Sequence, residues 1–179
     1  MNATRLPPIL PTGVAAIVIV LDQITKAAVT AALGLSQPSH SARALDPIVR
    51  LEYVENRGAA FGVLRDHGEL LSLLALAVLV ALVAYYRQAG VPSLAATLAV
   101  GLIAGGAIGN LIDRVRLGFV VDFVAIGWWP KFNLADSAIT LGVSLLIVRV
   151  LLADSARSRS HESRPQAPSR PPTIPTTDG

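Results

Sequence analysis

Gly105-Gly106-Ala107-Ile108-Gly109-Asn110-Leu111-Ile112-Asp113-Arg114 is the stretch on which the fold turns. It closes an apolar run that begins near residue 93, and it sets an asparagine, an aspartate and an arginine into a segment otherwise fit for lipid. Gly101, Gly105 and Gly109 recur every four residues, so they share one helix face, where glycine lets a second backbone approach closely. Asp113 continues that row, and Gly106, Asn110 and Arg114 form the adjacent one. A charge at the bilayer centre costs about 2.5–3.5 kcal/mol even on insertion scales. Asn110 lies a full turn inside the helix end and needs a partner of its own. The polar end of this helix is therefore expected to face the interior of a bundle.

Towards the C-terminus, Phe119-Val120-Val121-Asp122-Phe123-Val124 carries one acid in an apolar run, which points to a partly desolvated carboxyl. Gly127, Trp128, Trp129 and Pro130 rule out one long helix across 116–131, and the Trp pair suits a membrane–water boundary. This part is expected as a short interfacial segment. Residues 133–152 form a further span whose first half has a polar face, with Asn133, Asp136, Ser137 and Thr140 at helical spacing. From residue 154 to 179 the chain is rich in Ser, Arg and Pro without periodicity, and is expected to be a disordered tail.

Towards the N-terminus, residues 69–87 are nearly uncharged and end in Tyr85-Tyr86-Arg87, the marks of a plain membrane span. Before it, residues 34–68 leave the membrane. Val49, Leu51 and Tyr53 alternate with polar neighbours, so a small β element is expected at about 44–62, closed by the turn Glu55-Asn56-Arg57-Gly58. By composition, Asn56 serves that turn. Residues 9–33 are long enough to cross a bilayer. They exceed a signal-peptide core and no small-residue cleavage site follows, so they read as a retained helix. Asp22 and Lys26 interrupt it at i, i+4, which fits a self-neutralising pair and a role in shaping a site equally well.

Composition agrees with four spans in one domain over 1–153. Of the 179 residues, 53% are hydrophobic and 15% charged, against roughly 25% charged in soluble domains, and the mean hydropathy is +0.57. The net charge of +3 sits largely in the tail, with no basic patch and interleaved aromatics, so nucleic acid is not an expected partner. There is no Cys, which excludes thiol nucleophiles and disulfides. His40, His67 and His161 have no metal-ligand spacing, and no Gly-x-Ser-x-Gly occurs, so neither a metal nor a cofactor is expected.

What remains is carboxylate chemistry. Asp122 and Asp136 are 14 residues apart, about 21 Å along a straight helix, but the break at Gly127 and Pro130 lets the chain fold back. Two carboxylates in one low-dielectric site hold one proton between them, as in an aspartic protease pair. Spacing alone leaves open which two of Asp22, Asp113, Asp122 and Asp136 react. A proton-coupled carrier also needs such acids, although four spans leave little room for paired repeats. A non-catalytic assembly factor, with the glycine face used for oligomerisation, is the third reading.

Five stretches together resemble the bacterial lipoprotein signal peptidase family (signal peptidase II). They are Leu21-Asp22-Gln23-Ile24-Thr25-Lys26, residues 55–62, residues 105–114, Gly118-Phe119-Val120-Val121-Asp122-Phe123 and Phe132-Asn133-Leu134-Ala135-Asp136-Ser137. The resemblance covers all but the tail. It implies an all-α integral membrane aspartyl protease with four transmembrane helices and a small extracytoplasmic β element. It also implies an enzyme that removes signal peptides from diacylglyceryl-modified prolipoproteins ahead of the lipidated Cys. On that resemblance the catalytic residues fall on Asp122 and Asp136. Asn110, Asp113, Arg114 and Asn133 match residues that line the site, Asn56 matches a substrate-holding residue, and Asp22 with Lys26 matches the first-helix motif. The expected setting is a monomer among membrane lipids in the bacterial inner membrane, with both termini cytoplasmic and the active site near the outer face. Counting Lys and Arg does not decide that orientation, because both sides carry similar numbers.

Overall fold

The computed structural model describes residues 9–34, 41–45, 49–58 and 93–162, together with positions 77, 80, 81 and 84. Among the described residues, three helices form the bundle: α1 (Ile9–Val29, ending in a π turn over Thr30–Gly34), α2 (Leu94–Leu117) and α3 (Leu134–Glu162). All three are long and apolar enough to cross a membrane. The expected span over 69–87 lies outside the described residues, apart from Ala77, Val80, Ala81 and Ala84, which are helical.

Helix α2 is the centre of the bundle and packs on both other helices. Ser93 caps its start by accepting from the Ala96 amide, and Gly118 ends it in the left-handed conformation at φ 79°. The two rows of small residues face different neighbours. A Cβ at Gly105 would stand 2.7 Å from Val18 Cβ, and one at Gly109 would stand 2.6 Å from Asp22 Oδ2, so this row seats α1. A Cβ at Gly106 would collide with the backbone of Ala135, so the adjacent row seats α3. Close approach through glycine thus brings the polar residues of three helices together at one level. The outer faces of α1 and α3 stay apolar and exposed at Ile17, Ile24, Ile147 and Val148, as lipid-facing surfaces are.

Beside the bundle lies an antiparallel sheet of β1 (Ser41–Leu45), β2 (Val49–Asn56) and β3 (Val120–Ile126), in that order. Here the sequence expectation needs correction, because β3 occupies the piece expected as a short interfacial segment. Its β-branched and aromatic residues favour a strand, and both of its faces are covered: Val120, Val121, Asp122, Phe123 and Ala125 are all buried. A strand buried on both sides shows no alternation. The β element accordingly starts earlier than expected, at Ser41, and gains a third strand.

After β3 the chain turns at Gly127 (φ 50°) and the Trp129 amide donates to the carbonyl of Ile126. Phe132 then pairs back onto Val124, its amide donating to that carbonyl at 3.2 Å. That return delivers Asn133 and the first turn of α3 beside β3, the fold-back expected from Gly127 and Pro130. A second boundary also shifts, since α3 runs on to Glu162, past the expected tail boundary at residue 154. Ala153, Ala156, Arg157 and Arg159 are good helix formers, and no Pro intervenes before residue 165. Hydropathy falls at 153, but helicity does not depend on it. Residues 163–179 lie outside the described residues.

Candidate active site

Asp122 and Asp136 meet through one residue. Asn133 is the N-cap of α3: its Oδ1 accepts from the Asp136 amide at 2.9 Å, and Asp136 Oδ2 accepts from the Asn133 amide at 3.2 Å. This reciprocal pair is a capping box with an aspartate in the third helical position. The Asn133 side-chain NH2 is then free to reach across to β3, where it donates to Asp122 Oδ1 at 2.8 Å. It also approaches Asn110 Oδ1 at 3.2 Å and the carbonyl of Val121 at 3.3 Å.

The second oxygen of each aspartate also has an amide donor. In the β2–β3 register Val54 lies opposite Asp122 and Asn56 opposite Val120, so Asn56 and Asp122 are diagonal neighbours on one face. Asn56 Nδ2 donates to Asp122 Oδ2 at 2.8 Å, and its Oδ1 accepts from the Gly58 amide at 3.0 Å. Asn56 therefore serves both its turn and the aspartate. On the other side, Asn110 Nδ2 donates to Asp136 Oδ1 at 2.8 Å.

Beneath lies an ion cluster sealed between α1 and α2. Lys26 Nζ stands 2.9 Å from Asp22 Oδ2, 2.9 Å from Asp113 Oδ2 and 3.0 Å from Asn110 Oδ1. The remaining capacity of these carboxylates is filled by backbone and by one side-chain amide. Asp22 Oδ1 accepts from the Ala135 amide at 3.0 Å, at the start of α3, and Asp113 Oδ2 accepts from the Val121 amide at 3.1 Å, on β3. Gln23, not singled out from the sequence, donates to Asp113 Oδ1 at 3.0 Å and approaches Asp22 Oδ2 and the carbonyl of Gly109. Its signal was its place beside Asp22 and one turn before Lys26, as the one amide side chain in α1. Among the described residues no buried side-chain nitrogen or oxygen lacks a partner.

The site residues named from the sequence thus converge on one network, except Arg114, which takes a different place. It lines a cleft of about 280 Å³ with Asn56, Gly58, Lys131, Phe132, Asp136 and Thr140. Asp136 faces this cleft, while Asp122 is 2% exposed on the covered strand. Burial, followed by the charge of Asp136, pushes the Asp122 carboxyl up to about 7. The hydrogen bonds from Asn56 and Asn133 and the charge of Lys26 pull the other way without cancelling it. The arrangement is two aspartates held by neutral donors, Asp136 at the wall of a cleft and Asp122 buried behind it with its carboxyl raised towards neutrality.

Residues 14–152 match the family described as signal peptidase (SPase) II. A lipoprotein signal peptidase of Syntrophomonas wolfei is 47% identical over 144 residues, covering 80% of this chain and 94% of its own length. One from Halothermothrix orenii is 43% identical over 132 residues, covering 74% and 88%. A bacterial membrane enzyme solved by the in meso method at 2.3 Å resolution superposes with a TM-score of 0.73 at 29% identity, over 89% of this chain and 94% of that one. A second, solved at 1.9 Å, gives a TM-score of 0.70 at 32% identity, over 79% and 92%. With its sheet, its aspartate network and most of each described helix inside the matched residues, the chain belongs to the signal peptidase II family.

Proposed function

We propose that this protein is an intramembrane aspartyl endopeptidase that removes the signal peptide from diacylglyceryl-modified prolipoproteins. On this reading it cuts on the N-terminal side of the lipidated Cys, with Asp122 and Asp136 as the reacting pair. The observation that carries it is the sharing of Asn133 by both aspartates beside the cleft. One carboxylate takes a proton from water as the water oxygen attacks the scissile carbonyl carbon. The other, protonated, donates to the carbonyl oxygen as it gains charge. Collapse of the resulting diol breaks the C–N bond and returns both protons, one to the leaving amine and one to the pair. No covalent intermediate is required.

The cleft supports a substrate entering beside α3, with Arg114 and Asn56 at its walls to hold peptide carbonyls. Trp128 and Trp129, exposed and packed at 5.7 Å, suit the level of lipid headgroups and support a site near a membrane face; the outer face, with both termini cytoplasmic, follows on the family resemblance. Membership in a peptidase family weighs against the carrier and the assembly factor.

The test is cleavage of a diacylglyceryl-modified prolipoprotein by the purified chain, beside Asp122→Asn and Asp136→Asn. Each substitution keeps the shape and removes the exchangeable proton, and each is expected to lower kcat by about 1000-fold or more, within the range of general acid–base catalysis. Near-full cleavage by either folded variant ends the assignment of the pair.

A further inference from the structure

Lys26 is buried and all three of its donors are used. Two of them form the ion pairs with Asp22 and Asp113. The third fixes something else. An ammonium only donates, so the atom of Asn110 that faces it at 3.0 Å is the oxygen. Asn133 Nδ2, at 3.2 Å from the same oxygen, holds the amide the same way. A carboxamide whose oxygen is so placed must aim its NH2 in the opposite direction, and there it meets Asp136 Oδ1 at 2.8 Å.

The two aspartates therefore differ in what stands behind their donors. Asn110, which serves Asp136, is backed by a full positive charge, and such a chain of hydrogen bonds polarises its last donor. Asn56, which serves Asp122, is backed by the neutral amide of Gly58. Asp136 also sits in the first turn of α3, where the helix dipole favours an anion, while Asp122 lies within a strand that offers no comparable dipole. The charged groups around Asp136 are Asp122 on β3, Lys26 and Asp22 on α1, Arg114 on α2, and Lys131 on the cleft wall, which is paired with Glu52. Of the three cations, Lys26 is the one sealed inside the bundle and bonded to the amide that Asp136 accepts from.

We propose, resting on the aspartyl reading above, that Lys26 is a positioning residue for the reaction. Through the fixed amide of Asn110 it holds Asp136 as the ionised member of the pair, which takes the proton from water. Asp122 then carries the proton that goes to the scissile carbonyl oxygen. Asp136 passes its new proton to the leaving amine, and Asp122 recovers its own from the diol, so the pair ends as it began.

The experiment uses the full chain in detergent with the lipidated prolipoprotein. Asn110→Asp keeps a partner for Lys26, and so keeps the cluster closed, but sets a second carboxyl group against Asp136 where a fixed neutral donor stood. It is expected to fold, to lower kcat about 100-fold or more, as loss of a preorganised donor does, and to leave KM within about threefold. Lys26→Met and Asn110→Ala are each expected to lower kcat, with the double variant no slower than the slower single one, because both act along one path. Should Lys26→Met fail to fold, Asn110→Asp decides alone. Asn110→Asp turning over within about fivefold of the parent while Asp136→Asn is inert overturns the role of Lys26 and leaves the pair standing. Effects of Lys26→Met and Asn110→Ala that multiply, or that fall on KM with kcat intact, overturn it as well. Cleavage by Asp136→Asn overturns the pair and this proposal together.

Discussion

Two couples of aspartates share this bundle and are kept in opposite ways. Asp22 and Asp113 divide one ammonium between them, and the backbone amides of Ala135 and Val121 and the side chain of Gln23 complete their hydrogen bonds. Among the described residues, Asp122 and Asp136 have only neutral donors in contact, namely Asn56, Asn110, Asn133 and one backbone amide, and Asp136 faces a cleft. A cation between two carboxylates satisfies both and leaves no proton in play. Neutral amides orient two carboxylates without matching their charge, so a proton between them remains useful. The first couple ties α1 to the start of α3 and to β3. The second is suited to chemistry.

The largest expected effect tests whether the sealed couple holds the structure. Asp22→Ala leaves the Ala135 amide without its acceptor and unbalances a buried charge cluster, a change that costs about 3–5 kcal/mol. Thermal unfolding in detergent should fall sharply, while Asp122→Asn, which keeps the shape and one accepting oxygen and gives up one amide contact, should move it less. If both variants melt together, the division between a structural and a chemical couple is wrong. A smaller effect is expected at Gly109. A Cβ there stands 2.6 Å from Asp22 Oδ2, and that carboxylate cannot retreat easily while its other oxygen is held by Ala135. Gly109→Ala should cost about 1–3 kcal/mol, as overpacking does. A variant that melts like the parent would show that the cluster yields, and would sharpen the comparison towards the ion pairs alone.

The same contrast explains what the sequence made legible. The spacing of Gly101, Gly105 and Gly109 announced a close neighbour, and the adjacent row with Asn110 announced a second polar face. That the first row seats α1 and the second α3 depends on contacts among residues more than a hundred positions apart in the case of Asp22 and Ala135. The desolvation of Asp122 was readable from Val120, Val121 and Phe123 around it. The strand that carries it was not, because a strand covered on both faces has no alternating pattern, and its identity depends on β2 accepting it. Asn133 was legible as polar on a helix face, but its part as cap and as bridge to Asp122 required the turn at Gly127 to bring β3 and α3 side by side. Gln23 joins the sealed couple through contacts on α2 that no local pattern reveals.

The finest test of the comparison is pH, because only the open couple should respond near neutrality. With the Asp122 carboxyl pushed up to about 7 by burial and by the charge of Asp136, the proton needed for the carbonyl oxygen is present below that value and lost above it. The kcat/KM for the lipidated substrate should hold level up to about pH 7 and then fall about tenfold per pH unit, which is about 1.4 kcal/mol for each. The hydrogen bond from Asn56 stabilises the charged form of Asp122 and so lowers the titration point. Asn56→Ala removes that pull, and the falling limb should move to higher pH even as the level below it drops. A limb that stays in place, or moves to lower pH, would mean that Asp122 is not the group being titrated. A rate that stays flat from pH 6 to 9 would mean that no proton is held between the two aspartates in this range, and the contrast between the couples would then rest on geometry alone.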